Sequence, residues 1–156
     1  ALHVPWVPEV GRYYTESILT DGYEWRDDDF YRIGRLQQHY ENEIAARSKG
    51  VIVCDTNAVA TELWQRRYMG KTTPEMREIA ANDKADLYII TGDEIPFVQD
   101  GIRDGEHVRH RMHRWFLAHI KKSGIPYLVV TGTPEERLAA ARTAAEEMIR
   151  NKRVIT

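Results

Sequence analysis

Four short runs rich in Val and Ile divide this chain, and they constrain its fold more than any other feature. They lie at His3–Val7, Val51–Cys54, Leu87–Ile90 and Tyr127–Val130. Apolar residues follow one another in these runs instead of alternating with polar ones. That pattern is typical of strands buried on both faces of a parallel sheet.

The segments between the runs carry the spacing of amphipathic helices. In the first, 28–47, Phe30, Ile33 and Leu36 recur three residues apart, and acids open its first turn. Similar spacing or end signals predict helices over 58–69, 74–82, 107–123 and 134–150. Strands alternating with helices predict an α/β fold, with a parallel sheet covered by helices on both faces.

Length and charge limit the classes of protein to which this chain can belong. Its 156 residues predict one domain over 1–156, and the net charge of −2 argues against nucleic-acid and membrane partners. No apolar run approaches the roughly 20 residues of a membrane helix. Cys54 is the only cysteine, which excludes an internal disulfide. We expect a cytoplasmic protein that binds small molecules, and the sequence is compatible with a homo-oligomer.

Carboxylates follow three of the four predicted strands. In open α/β sheets the ligand crevice lies at the carboxyl ends of the strands, which draws attention to Glu9, Asp55 and Asp93. Asp55 could hold a Mg²⁺ ion that bridges nucleotide phosphates, or it could cap the helix that starts near Asn57. Glu9 could accept a proton from a substrate hydroxyl beside a phosphate-clamping Arg12, or the two could form a surface ion pair.

Two further segments allow both a functional and a structural interpretation. Arginines concentrate around a glycine-containing loop over 96–114, where they could close over an anion as a lid or form a solvated basic face. Tyr23 and Trp25 stand beside the acids of 27–29. They could stack on a planar, cationic ring, or they could simply pack between helices.

Taken in order, the motifs resemble one known family over nearly the whole chain. They are similar to the ribosylnicotinamide kinase domain of the NadR-type regulators of NAD biosynthesis. The matching stretches are Val7-Pro-Glu9-Val-Gly11-Arg12, Trp25-x3-Asp29-Phe30-x2-Ile33-x3-Gln37, Val53-Cys54-Asp55-Thr56-Asn57, Ile95-Pro-Phe97-Val-Gln-Asp100-Gly101-Ile-Arg103 and Gly132-Thr-Pro-Glu-Glu-Arg137.

The resemblance implies a P-loop kinase that transfers the γ-phosphoryl group of ATP, with Mg²⁺, to the 5′-hydroxyl of nicotinamide riboside. Glu9 matches a candidate general base and Asp55 the metal-binding acid, with Arg12 beside them. Asp100, Arg103 and Arg109 match the lid, where Arg111 is the alternative to Arg109. The remaining matches are substrate-binding residues (Tyr23, Trp25, Asp29 and Asn57) and residues of the loop that flanks adenine (Gly132, Thr133, Pro134 and Arg137).

The family also carries a Gly-x4-Gly-Lys-Ser/Thr loop, which has no counterpart in these 156 residues. We expect that loop, with its strand and helix, in some thirty residues ahead of Ala1-Leu2. Two other functions remain open: a non-catalytic sensor of nucleotides or NAD metabolites, and a P-loop ATPase in which Tyr23 and Trp25 only pack.

Overall fold

The computed structural model describes residues 4–18, 23–48, 50–83, 85–99 and 106–153. Four strands lie in these ranges: β1 (Trp6–Val7), β2 (Val53–Cys54), β3 (Tyr88–Thr91) and β4 (Tyr127–Val130). The helices are α1 (Val10–Ile18), α2 (Asp27–Arg47), α3 (Ala58–Met69), α4 (Pro74–Ala81), α5 (Glu106–Ser123) and α6 (Pro134–Arg153). Both the alternation and the α/β class match the prediction.

The chain folds as two compact units. The N-terminal unit is His3–Lys84, and the C-terminal unit is Ala85–Thr156 together with Ala1–Leu2. The expectation of one domain over 1–156, with a lid over 96–114, stays a prediction. Within the described residues, no helix has both the length and the apolar character needed to cross a membrane.

Local sequence signals set the ends of the helices. Asn57 caps α3 by accepting the N–H of Ala60 at 3.1 Å, and Gly70 closes the helix in the left-handed conformation at φ 70°. Thr73 caps α4 in the same way, with Pro74 directly after it at the start of the helix. The five predicted helices are confirmed, whereas α1 has no counterpart among them.

In the N-terminal unit, β1 and β2 form a two-stranded parallel sheet. Trp6 pairs with Val53 and Val7 with Cys54. Backbone hydrogen bonds extend the pairing by one residue, since the N–H of Asp55 donates to the carbonyl of Val7 at 2.8 Å. The ends of the two strands therefore lie side by side at one edge of this sheet.

The C-terminal unit contains a second parallel pair, β3 and β4. Tyr88 pairs with Tyr127, and the register continues to Thr91 opposite Val130. The N–H of Gly92 then donates to the carbonyl of Val130 at 2.8 Å. This pairing brings the segments that follow both strands to the same edge.

Helix faces, more than strands, supply the buried core. Val7, Phe30, Ile33, Leu63 and Met76 are buried in the N-terminal unit. In the C-terminal unit the buried apolar residues include Val108, Met112, Ile120 and Val130.

The prediction of strands buried on both faces is wrong for Val53, Ile89 and Val129, which are exposed, as is Leu36 of α2. Each described strand has a single described neighbour, so within the described residues every strand is an edge strand and is left uncovered on one side.

Candidate functional site

Glu9 and Asp55 follow the two paired strands of the N-terminal unit. Glu9 stands two residues beyond Val7, and Asp55 directly follows Cys54, the residue that pairs with Val7. Neighbouring strands run about 4.8 Å apart, so the register brings the two strand ends together. The structure shows the parallel pairing on which this expectation rests, namely that the two carboxylates follow strands that end at the same edge of one sheet.

The turn after β2 has an unusual backbone. Thr56 adopts φ 65°, the one positive φ of a non-glycine residue in the described ranges. A β-branched residue rarely takes this conformation, because its side chain crowds the backbone. Asn57, not Asp55, then caps α3, so the interpretation of Asp55 as the cap is wrong. The side chain of Asp55 is exposed at the strand end.

A buried amide holds the beginning of α1, directly after Glu9. The N–H of Val10 donates to Oε1 of Gln37 at 3.0 Å, and Nε2 of Gln37 donates to Oε1 of Glu41 at 3.0 Å. Gln37 is 1% exposed. Burial raises the pKa of Glu41 to about 7, with a further contribution from Asp83, against the lowering effect of the Gln37 hydrogen bond.

Sequence reasoning assigned no role to Gln37 or Glu41. Gln37 belongs to one of the matching motifs, and this was the sequence feature that could have indicated a role for it. Its partner Val10 lies 27 residues away, however, and the hydrogen bond is invisible without the fold.

Arg12 lies one turn beyond Glu9 on α1. Its Nε is 3.4 Å from Oε1 of Glu16, and both side chains are partly exposed. An exposed pair of this kind contributes little to stability.

Asp29 lies buried at the start of α2 among hydrogen-bond donors. Tyr14 donates to Oδ1 at 2.9 Å, and Tyr23 and the N–H of Arg26 donate to Oδ2 at 2.8 and 2.9 Å. Burial and the Asp29 carboxylate raise the pKa of Tyr14, and the Asp29 hydrogen bond, aided by desolvation, raises the pKa of Tyr23. Two of the predicted substrate-binding residues are therefore in direct contact.

Trp25 belongs to an aromatic cluster. Its ring centroid lies 5.1 Å from Phe30 and 5.2 Å from Tyr68, with tilted planes, and Tyr23 meets it edge-on at 6.2 Å. Such geometries are favourable for aromatic pairs. Trp25 is half-buried, so the cluster uses part of its surface and leaves part accessible.

An open, largely apolar groove of about 430 Å³ lies beside this site, between α1 and α2. Tyr13, Leu36 and Tyr40 contribute to its lining. This explains the exposure of Leu36, because α1 and α2 do not close over it. None of the predicted site residues that the structure describes lines the groove.

In the C-terminal unit, Arg109 and His110 of α5 hold the segment that follows β3. Nη1 of Arg109 donates to the carbonyls of Asp93, at 2.6 Å, and Ile95, and its Nη2 lies 3.1 Å from Glu106. Nδ1 of His110 lies 2.6 Å from Oδ2 of Asp93. That hydrogen bond, with help from His113, lowers the pKa of Asp93.

The other residues of the predicted lid divide into two groups. Arg111 lies over the ring of Trp115, 5.6 Å from its centroid, in a cation–π contact. Asp100 and Arg103 lie outside the described residues.

The segment after β4 forms a capped turn into α6. The N–H of Thr133 donates to Oε2 of Glu136 at 2.8 Å, and the N–H of Glu136 donates to Oγ1 of Thr133 at 3.2 Å, a capping box. These contacts lower the pKa of Glu136. Gly132 takes φ 88°, its N–H donates to Glu94 at 3.1 Å, and its carbonyl accepts Nη1 of Arg137. Pro134 opens the helix.

Within the described ranges, no three His, Cys, Asp or Glu side chains are grouped as a protein-only metal site. Mg²⁺ in phosphate-transferring proteins needs only one or two carboxylates, because phosphates and water complete its shell. An exposed strand-end carboxylate such as Asp55 fits that requirement.

Comparison with known proteins bears on the fold. A crystal structure of NadR protein in complex with NR is similar to this chain with a TM-score of 0.74 at 21% identity, over 95% of this chain and 45% of that one. A second, of NadR protein in complex with NAD and AMP-PNP, gives 0.74 at 18% identity, over 95% and 43%. The chain thus spans less than half of each, and no curated protein matches it.

At these identities the similarity establishes the fold, which confirms the P-loop kinase-like architecture and the resemblance to NadR. The family model described as "AAA domain" matches residues 1–137, most of the sequence. The chain therefore belongs to the AAA domain family of nucleotide-binding P-loop proteins.

Proposed function

We propose that this chain is part of an ATP-dependent kinase that phosphorylates the 5′-hydroxyl of nicotinamide riboside and yields nicotinamide mononucleotide. The observation that carries the proposal is the register of β1 and β2, which brings the ends of the strands that precede Glu9 and Asp55 together. A base and a metal-binding acid at one sheet edge are what phosphoryl transfer to a hydroxyl requires.

Glu9 acts as the general base in this proposal. It removes the proton from the 5′-hydroxyl as that oxygen attacks the γ-phosphorus of ATP, and the bond to the bridging oxygen of ADP breaks. Arg12, one turn away, orients Glu9 or binds a phosphate oxygen. Its weak pairing with Glu16 is compatible with either role.

Asp55 would hold Mg²⁺, which neutralises the phosphate charge when it is bound. Thr56 turns the chain directly after Asp55, and Asn57 is occupied as the cap of α3, so the exposed oxygens of Asp55 are the better metal ligands. We assign Asn57 to substrate binding through its backbone or through a second contact of its amide.

Tyr23, Trp25 and Asp29 would form the binding region for the riboside. The nicotinamide ring is cationic and planar, so the aromatic cluster beside a buried carboxylate is chemically suited to it. Because Tyr14, Tyr23 and the N–H of Arg26 already surround Asp29, we expect it to orient Tyr23 rather than to contact the ligand itself.

The C-terminal unit would supply nucleotide contacts. We assign Gly132, Thr133, Pro134 and Arg137 to the adenine, and Asp100, Arg103 and Arg109, with Arg111 as the alternative, to the lid over the phosphates. The turn at Gly132 supports the first assignment, because the Glu94 and Arg137 contacts and the capping box give it a defined shape.

The proposal is tested by incubating the full-length protein with ATP, Mg²⁺ and nicotinamide riboside and measuring nicotinamide mononucleotide. We expect Asp55→Asn and Glu9→Gln each to lower kcat roughly 100-fold or more, while Glu9→Gln leaves ATP affinity intact. Asp28→Asn and Glu43→Gln, which change exposed acids of α2 paired with Arg32 and Arg47, are matched controls. Full activity of Glu9→Gln would remove Glu9 as the base.

The aromatic cluster also favours a second candidate, a P-loop ATPase in which Tyr23 and Trp25 only pack. ATP hydrolysis that proceeds at the same rate without the riboside would support it. Binding of ATP or riboside with neither transfer nor hydrolysis would instead indicate a sensor of nucleotides or NAD metabolites.

A further inference from the structure

We infer that Gln37 is a positioning residue for Glu9, and that Glu41 fixes the orientation of the Gln37 side-chain amide. The inference rests on the proposed function, since it concerns the base of that reaction. It extends the site beyond the strand ends to a hydrogen-bonded pair on α2, of which Gln37 is buried and Glu41 half-buried.

The backbone on both sides of Glu9 is held by hydrogen bonds. The carbonyl of Val7 accepts the N–H of Asp55 at 2.8 Å, and the N–H of Val10 donates to Gln37 at 3.0 Å. Between these two points the chain turns from β1 into α1 over only Pro8 and Glu9. Fixing both ends of so short a segment fixes the origin of the Glu9 side chain.

The bond from Val10 to Gln37 has no backbone substitute. Val10 is the first residue of α1, and the first N–H groups of a helix have no partner within it. Both Val10 and Gln37 are buried, so water is a poor replacement. An unsatisfied buried donor is costly, and the turn would have to move to relieve it.

Glu41 determines which end of the amide meets Val10. An ionised carboxylate only accepts hydrogen bonds, so the NH₂ of Gln37 must face Glu41 and its oxygen is left for Val10. The other titratable groups that act on Glu41 and its surroundings are Asp83 and Cys54, an acid and a thiol whose pKa burial raises to about 12. A protonated or neutral side chain at position 41 can itself donate a hydrogen bond to Oε1 of Gln37, and so compete with the Val10 N–H for that oxygen.

The direct test compares two variants of the full-length protein, Gln37→Leu and Gln65→Leu. Gln65 is similarly buried in the same unit, where its hydrogen bonds go to Asp27 and Thr73 and not to Val10. Both variants should lower the urea midpoint. Only Gln37→Leu should also lower kcat, by roughly 10- to 100-fold with little change in the KM for ATP. An equal loss of kcat in both variants would overturn the inference.

Glu41→Gln is a second test, in a variant that we do not expect to be destabilised. Replacing this half-buried acid by a neutral amide should raise the urea midpoint at pH 8, yet add a donor at position 41 that competes with Val10 for the oxygen of Gln37. We expect kcat to fall roughly threefold, so that stability and activity move in opposite directions. An unchanged kcat would overturn the orienting role of Glu41.

Amide exchange of Val10 separates this inference from the proposed function. By NMR, its exchange should quicken roughly tenfold or more in Gln37→Leu, and less in Glu41→Gln. If it does and the wild-type protein transfers no phosphoryl group, the proposed function fails while the held turn stands. If Val10 exchange is unchanged in both variants, the inference fails whatever the activity.

Discussion

The two units treat the ends of their strands differently. In the N-terminal unit the carboxylate of Asp55 is exposed, whereas the polar contacts of Gln37 and Asp29 are buried. In the C-terminal unit the corresponding groups bond to each other at the surface: Asp93 to His110, and Glu94 to Gly132.

The two units also differ in the burial of their polar side chains, which bears on how rigidly each one holds its strand ends. Among the described residues, the buried polar side chains (Asp29, Gln37, Thr61 and Gln65) all lie in the N-terminal unit. Buried hydrogen bonds escape competition from water, whereas exposed ion pairs contribute little and are screened by salt. We therefore expect the polar contacts of the N-terminal unit to cost more free energy to break than those at the C-terminal strand ends.

The strongest test of the comparison replaces one acid in each unit. We expect Asp29→Ala to lower the free energy of unfolding by about 3 kcal/mol, because two tyrosine hydroxyls and the Arg26 N–H lose their shared partner. Asp93→Ala, at a partly exposed position, should have a much smaller effect. Urea denaturation of both variants measures the difference, and equal losses would contradict the contrast between the units.

A pH titration sharpens the comparison within the N-terminal unit. The folded pKa of Glu41, about 7, lies above its ordinary 4.5, so the native state binds the proton more tightly. The contribution of Glu41 to the free energy of unfolding is fully present below pH 4.5 and is lost as the pH rises through 7. The loss is about 1–2 kcal/mol after allowance for solvent screening.

Glu41→Gln should remove this part of the pH dependence, as followed by the urea midpoint between pH 4.5 and 8. The matched control is Glu43→Gln, an exposed acid of the same helix. A decline that persists unchanged in Glu41→Gln would assign the titration to another group.

Thr56→Gly tests whether the turn after Asp55 is strained. Glycine adopts φ 65° without steric cost. We therefore expect the free energy of unfolding to increase by about 1 kcal/mol and the thermal midpoint to rise with it. Gly70→Ala is the inverse control, because Gly70 has φ 70° in open space, and alanine there should cost about 1 kcal/mol. A loss of stability in Thr56→Gly would show that the Thr side chain supports the turn.

The smallest expected effect is at the C-terminal edge. His110→Ala should raise the pKa of Asp93 toward its ordinary 3.8, because the His110 hydrogen bond is the main cause of its lowering. With a lowered folded pKa, the contribution of the pair is present above pH 3.8 and lost as the pH falls through the folded value. NMR titration of the Asp93 carboxyl carbon measures the shift, with His119→Ala on the same helix as control.

Much of the fold could be predicted from local signals. Thr73-Pro74 and Thr133-Pro134 mark the starts of α4 and α6, because capping hydroxyls and proline act within one turn of chain. Position after a strand likewise singled out Glu9 and Asp55. By contrast, α1 carried no such marker and was not predicted.

The contacts that shape the candidate site could not be predicted in this way. Nothing near Gln37 indicates that it binds Val10, and the clustering of Tyr14 and Tyr23 on Asp29 joins two helices. Strand burial failed for a related reason: the apolar runs at Val53 and Ile89 report what the residues can bury, and not how many neighbours a strand has.

The sequence by itself determined the order of strands and helices, the ends of most helices and the candidate residues at the strand ends, because propensity, capping and hydrophobic spacing act over a few residues. The tertiary structure decided which strands pair, which polar groups are buried and which carboxylate lies beside which donor. Those outcomes depend on contacts between residues distant in the chain, whose free energies exist only after the backbone has brought them together.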